Sequence, residues 1–222
     1  MADEKKIEVF QDLLLRGPVS GRAALREALI AAASGPWRHS EEREQDIAEH
    51  AGADADVIVF EREEDADVDA VGLVLWSRDD SFEVTNIVPR EVGELGQHRY
   101  NLALRDFVDR VAEPVVSQVG FTIELSSADQ GLDDWLPAEA ANALRRFSRA
   151  ANKSTGSSHP MDRRRWFEFL FAVHRRQRAF DTDRLIRWLT EIENWPEETA
   201  HDLAIQYEFA LELLDEYDRD RS

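Results

Sequence analysis

Large apolar residues fall at Ile7, Phe10 and Leu14, the spacing of one helix face, until Arg16-Gly17-Pro18 breaks the run. Ser20 is placed to cap a second helix, which carries Leu25 and Leu29 among alanines and stops at Gly35-Pro36. From Ser40 to His50 the large apolar position is Ile47, which predicts a third helix lying in solvent. The pattern then changes. Val57-Ile58-Val59-Phe60 and Val71-Gly72-Leu73-Val74-Leu75-Trp76 are short, β-branched runs on either side of an acidic turn. After the turn Arg78-Asp79-Asp80-Ser81, Phe82, Val84 and Val88 alternate with Glu83, Thr85 and Ile87. Runs so close together predict an antiparallel meander, because a parallel pair needs a long crossover. Tyr100, Leu104, Phe107, Val108 and Val111 make a helical stripe, and Phe121, Ile123 and Leu125 alternate with Thr122, Glu124 and Ser126 as a fourth strand.

Helical spacing returns at Pro137. Leu136, Ala140, Leu144 and Phe147 form one stripe. A helix opening at Pro160 carries Trp166, Phe167, Phe169, Leu170, Phe171 and Val173 around most of its circumference, a pattern that predicts a central helix. Leu185, Trp188, Leu189 and Ile192 mark the next helix. Asn194-Trp195-Pro196 begins the last, with Leu203, Tyr207, Leu211 and Leu214 facing inward. Repeats and long Gly/Ser/Pro linkers are absent. The predicted fold is α+β: a small antiparallel sheet of about four strands flanked by N-terminal and C-terminal helices. It is expected to be one domain over residues 1–222, helical over 1–50, sheet-forming over 55–127 and helical over 136–219.

Charge changes this picture more than composition does. The chain has 222 residues, 27 Lys+Arg against 46 Asp+Glu, and a net charge of −19. That field repels a polyanion, so general nucleic-acid binding is not expected. With no cysteine, disulfides, Cys-ligated zinc, iron–sulfur clusters and thiol chemistry are excluded. No apolar run is long enough for a membrane span, and Met1-Ala2-Asp3-Glu4-Lys5-Lys6 does not open a signal peptide, so a cytoplasmic protein is expected. The charge is also uneven: residues 41–95 sum to −14, 143–188 to +8 and 189–222 to −9. A basic island within an acidic molecule points to a partner.

The connector Asn152-Lys153-Ser154-Thr155-Gly156-Ser157-Ser158-His159-Pro160 lies in that island. Its hydroxyls can donate hydrogen bonds, Gly156 lets the backbone curl, and Pro160 suits the first turn of a helix whose N-terminus favours negative charge. Lys153, Ser154, Thr155, Gly156, Ser157, Ser158, His159 and Arg165 are therefore the candidate anion-binding residues, with His159 the candidate acid/base and Lys153 and Arg165 the charge stabilisers. The spacing is not that of a P-loop, whose lysine follows the glycine, nor of the G-x-S-x-G nucleophile elbow. As an ordinary connector, the same loop would use Ser157 or Ser158 to cap the helix after Pro160.

Other patterns carry less. Asp65-Ala66-Asp67-Val68-Asp69 begins like a calcium loop, but Ala70 and Trp76 stand where glycine and glutamate are required, leaving a hydrophilic turn. The histidines at 39, 50, 98, 159, 174 and 201 show no zinc spacing, so no metal and no cofactor are expected. Asn86 interrupts the third strand, where it can meet Thr85, Tyr100 or Asn101 near a sheet end. The function expected is that of a non-enzymatic acidic protein that binds a protein partner with a basic surface, as a toxin's immunity factor does. The alternative is a phosphate- or nucleotide-binding protein or enzyme using the 152–165 loop.

Overall fold

Residues 7–16 are extended, not helical. Ile7–Glu8 (β1) and Leu13–Arg16 (β2) are strands, and Leu13 and Leu15 are fully buried while Leu14 and Arg16 alternate with them. Helical spacing of Ile7, Phe10 and Leu14 lost to pairing: β2 is bonded on both sides, so tertiary hydrogen bonds decided its conformation. Ser20 caps nothing; it lies in a 3₁₀ turn, Val19–Gly21, ahead of α1 (Arg22–Ala32). Next come β3 (Trp37–His39), α2 (Glu41–Ala51), β4 (Val57–Arg62), β5 (Val71–Ser77), β6 (Ser81–Pro89) and α3 (Gly96–Phe107). A π-helical turn, Val108–Ala112, leads from α3 into α4 (Glu113–Val116), followed by β7 (Thr122–Leu125) and β8 (Asp129–Gln130). The remaining helices are α5 (Leu132–Trp135), α6 (Ala138–Ala150), α7 (Pro160–His174), α8 (Thr182–Arg187) and α9 (Glu197–Arg219).

The computed structural model describes residues 5–51, 56–78, 80–91, 93–175 and 180–221. Met1 to Glu4, Asp79 of the expected turn, and Arg176 and Arg178 of the basic island lie outside the described residues. Contacts gather the chain into two compact units, Glu8–Ala128, and Met1–Ile7 with Asp129–Ser222.

The first of these units contains a six-stranded antiparallel sheet in the order β3-β4-β5-β6-β2-β7. The expectation of about four strands is corrected by β2, hidden in a helical spacing, and by β3, whose three residues are too few to show a period. The alternation in β6 is corrected too. A bulge sets in between Val74 and Leu75 of β5, which pair with Asn86 and Val84, so Thr85 is the additional residue. A bulge flips the faces of everything beyond it: Phe82, Val84 and Ile87 are buried, and Val88 is exposed.

One sheet face packs Ile58, Phe60, Leu73, Leu75 and Phe82 against Leu25 and Leu29 of α1 and Tyr100, Leu104 and Phe107 of α3. Arg62, with no exposed surface, crosses this core: its Nε donates to Asp106 (2.8 Å), its Nη1 to the Glu63 and Val68 carbonyls (2.8 Å each) and its Nη2 to Asp65 (2.6 Å). Asp65 also accepts from the Asp67 and Val68 amides, so the aspartate-rich segment is a turn. In the second unit, α6 and α7 pack together around Phe147, Trp166 and Phe169, and α9 adds Tyr207, whose ring stacks on Phe169 at 5.9 Å. Phe167 and Phe171 of α7 are nearly half exposed, so that helix is buried on one side only.

Candidate functional site

Two places carry the polar groups that the sequence brings forward. The first begins with Asn101, which is 1% exposed on α3. Its Oδ1 accepts from the Gln11 amide (2.9 Å) and its Nδ2 donates to the Val9 carbonyl (2.8 Å). Residues 9–11 are thereby tied to the helix, and Asp12 is held on the β7 side by Ser126, through its amide and its carbonyl. The chain ahead of Leu13 thus cannot continue beside β6. Strand β2 pairs with β6 at Ser81–Glu83 alone, so residues 84–89 have no strand neighbour on that side among the described residues. Replacing Asn101 with leucine leaves the buried Gln11 amide and Val9 carbonyl unpaired. The expected loss is about 1–3 kcal/mol, read from urea unfolding, with faster amide exchange over residues 9–12.

The divergence opens a groove of about 690 Å³. One wall is the free edge of β6 from Val84 to Pro89; Phe10 and Asp12 make the opposite wall; Gly93, Glu94, Leu95, Gly96, Gln97 and Tyr100 close the end. The Phe10 ring meets Tyr100 edge-to-face at 5.0 Å, yet is 47% exposed. Burial, with Asp12 adding its charge, pushes the Tyr100 hydroxyl up to about 12, so it remains a proton donor at neutral pH. The lining contains two carboxylates, Asp12 and Glu94, and no basic side chain. The side-chain polar atoms of Asp12, Thr85, Asn86, Glu94 and Tyr100 make no hydrogen bond among the described residues. Asn86, Thr85 and Tyr100 all line this groove without hydrogen bonding one another, and Asn101 bonds residues 9 and 11 instead. Sequence reasoning missed Phe10, Asp12 and Glu94. The break in alternation at Asn86 was the available signal, since it marks the bulge.

The second place is the connector between α6 and α7. Many of its polar groups are engaged with the protein itself. Lys153 donates to the Glu193 carbonyl, Ser154 bonds Asn152 through both its amide (3.0 Å) and its hydroxyl (2.8 Å), and Thr155 reaches the Asn152 carbonyl at 3.5 Å. Ser157 donates to Gln206 (2.6 Å), and the Ser158 carbonyl accepts from Arg163. Gly156 (φ 58°) is buried, with Thr199 and Leu203 beside its Cα. His159, not Ser157 or Ser158, is the N-cap of α7; its Nδ1 accepts from the Met161 amide at 3.3 Å. Arg165 is paired with the buried Asp162 at 2.7 Å. The candidates from Lys153 to His159 are thus neighbours in space, but Lys153, Ser157 and Arg165 reach toward three different partners.

Comparison with known proteins adds a boundary. A family model described as a domain of unknown function (DUF1889) matches residues 139–209, less than half of the chain. That stretch runs from α6 into α9 and takes in the 152–165 connector, leaving the groove outside it. No curated protein and no solved structure matches the chain. Among the described residues, no group of three or more His, Asp or Glu is placed to hold a metal, and no helix is long and apolar enough to cross a membrane.

Proposed function

We propose that this is a non-enzymatic, cytoplasmic binding protein whose groove beside β6 takes an extended, basic segment of a partner protein as an added strand. The observation that supports this reading is the edge at residues 84–89, which among the described residues has no strand partner and lies in a groove whose charged lining groups are Asp12 and Glu94. A free edge offers backbone donors and acceptors in register with an incoming strand, and pockets flanking it select alternate side chains. Phe10 and Val88 supply exposed apolar surface, Tyr100 a hydroxyl donor, and the two carboxylates the preference for lysine or arginine. The acidity of residues 41–95 then speeds encounter with such a partner and rejects acidic ones. A role in neutralising a basic protein fits this chemistry.

The test uses a fluorescent synthetic peptide of alternating lysine and valine. It is expected to bind at low ionic strength, to weaken steeply as salt rises, and to slow amide exchange at residues 84–89. Reversing both charges (Asp12→Lys with Glu94→Lys) is expected to weaken binding by about a hundredfold. Binding that ignores salt and the reversal, protection that falls elsewhere, or no binding would each sink the reading.

A further inference from the structure

Helix α9 is apolar on two opposite sides. Ala200, Leu203, Ala204 and Tyr207 are buried in its own unit. Ile205, Phe209, Leu213 and Tyr217, spaced by four, face away and are 65%, 66%, 58% and 55% exposed. A helix with two apolar faces needs two partners. Single exposed apolar residues are ordinary, but four in a row over about 18 Å of helix make a patch. Glu208, Glu212 and Glu216 run alongside the row at the same spacing.

Helix α7 of the same unit shows the complementary pattern. Phe167 and Phe171 are exposed by 46% and 48%, with ring centroids 6.5 Å apart. Arg163, Arg164 and Arg175 lie within one helical turn of these rings and are exposed. The Arg164 and Arg175 side chains are 77% and 63% exposed: Arg164 is 3.8 Å from Glu168, Arg175 is 3.1 Å from Glu139 and donates from Nε to the Phe171 carbonyl (3.1 Å), and Arg163 is 3.3 Å from the Ser158 carbonyl. One chain therefore presents an apolar row bordered mainly by acids, with Arg221 over the Tyr217 ring at its end, and an apolar pair bordered by three arginines and Glu168. The glutamates belong to the −9 segment of the sequence, and the three arginines to the +8 segment.

We infer that the outer face of α9 docks on the outer face of α7 of a second copy of this chain, reciprocally, giving a dimer held by apolar contact and charge complementarity. Pairing α9 with α9 would set glutamate rows against each other, and pairing α7 with α7 would oppose arginines, so the crossed arrangement is the one that satisfies both faces. This interface is independent of the groove beside β6.

Sedimentation equilibrium on the full chain at low salt is expected to show a dimer. Two charge-reversed chains then discriminate the arrangement. Arg163→Glu with Arg164→Glu makes both faces acidic-bordered, and Glu212→Arg with Glu216→Arg makes both basic-bordered. Each alone is expected to dimerise about a hundredfold more weakly than the parent, while their equimolar mixture regains the parent's affinity as a heterodimer. Helical circular dichroism, unchanged in all samples, checks that the exposed substitutions leave the fold intact. A parent chain that remains monomeric, a reversed chain that dimerises as the parent does, or a mixture that stays monomeric overturns the inference.

Discussion

Replacing Asp106 with alanine is expected to cost about 3–5 kcal/mol of stability, because it takes one of two carboxylates from a buried guanidinium and leaves two buried donors, Arg62 Nε and Trp37 Nε1, without an acceptor. Asp106 accepts from Arg62 Nε (2.8 Å), Trp37 Nε1 (2.8 Å) and Arg110 Nε (2.7 Å), joining β3, β4 and α3 at one carboxylate. Arg62 has no exposed surface through which water could replace the lost acceptor. Its remaining partners, two carbonyls and Asp65, leave Nε unpaired. Urea unfolding of the single variant, followed beside the double variant Arg62→Met/Asp106→Leu, checks the cause. If the loss comes from the under-paired Arg62, the apolar pair regains much of it; if the double variant is as unstable as the single one, the explanation is wrong.

The same carboxylate sets a pH dependence. Burial works to raise the Asp106 pKa, but hydrogen bonds from Arg62, Arg110 and Trp37 outweigh it and hold the group below the usual carboxylate range. Glu61 behaves likewise: burial is opposed by the Arg38 hydrogen bond and the charges of Arg43, Arg38 and Arg90, and the net direction is down. A depressed native pKa stabilises the fold above the unfolded-state value, about 4 for a carboxylate, and that contribution disappears as pH falls through the native value. Stability is therefore expected to decline below about pH 4, with a shallower decline for Asp106→Asn, in urea titrations at neutral and acid pH.

The second large effect is expected at Phe147, where alanine should remove about 3–5 kcal/mol from the unit that holds α6, α7 and α9. The ring is fully buried, 5.0 Å from Trp166 and stacked at 5.4 Å on Trp195. The adjacent Ser148 accepts from Trp195 Nε1 (2.8 Å) and donates to Glu193 (2.9 Å), so the lost ring would also loosen the turn at Asn194, whose φ is 55°. Urea unfolding and the near-ultraviolet tryptophan dichroism report the change. A loss under 1 kcal/mol would show that the surrounding rings close the cavity.

Long elements were legible because their periods ran over many residues. Helices over Ala138–Ala150, Pro160–His174 and Glu197–Arg219, and strands over Val57–Arg62 and Val71–Ser77, follow the expected spans closely. Elements fixed by distant partners were not. Strand β2 is extended because β6 and β7 flank it, information absent from Leu13-Leu14-Leu15-Arg16 itself. The groove escaped for a related reason: it exists because Asn101 binds residues some ninety positions earlier. In the 152–165 connector the residue types were read correctly as donors, but their acceptors, Glu193 and Gln206, come from remote turns and helices.

The grouping of Met1–Ile7 with Asp129–Ser222 has a consequence for biosynthesis. Ile7 is buried and Lys6 is ion-paired with Asp134 at 3.4 Å, so these residues belong to a body whose other parts are translated after the sheet. The sheet-bearing body, Glu8–Ala128, is translated whole in between and has all its strands available first. Nascent chains halted once residue 128 has cleared the ribosomal exit tunnel should already resist protease across the sheet, while Ile7 waits for the helices that complete its packing.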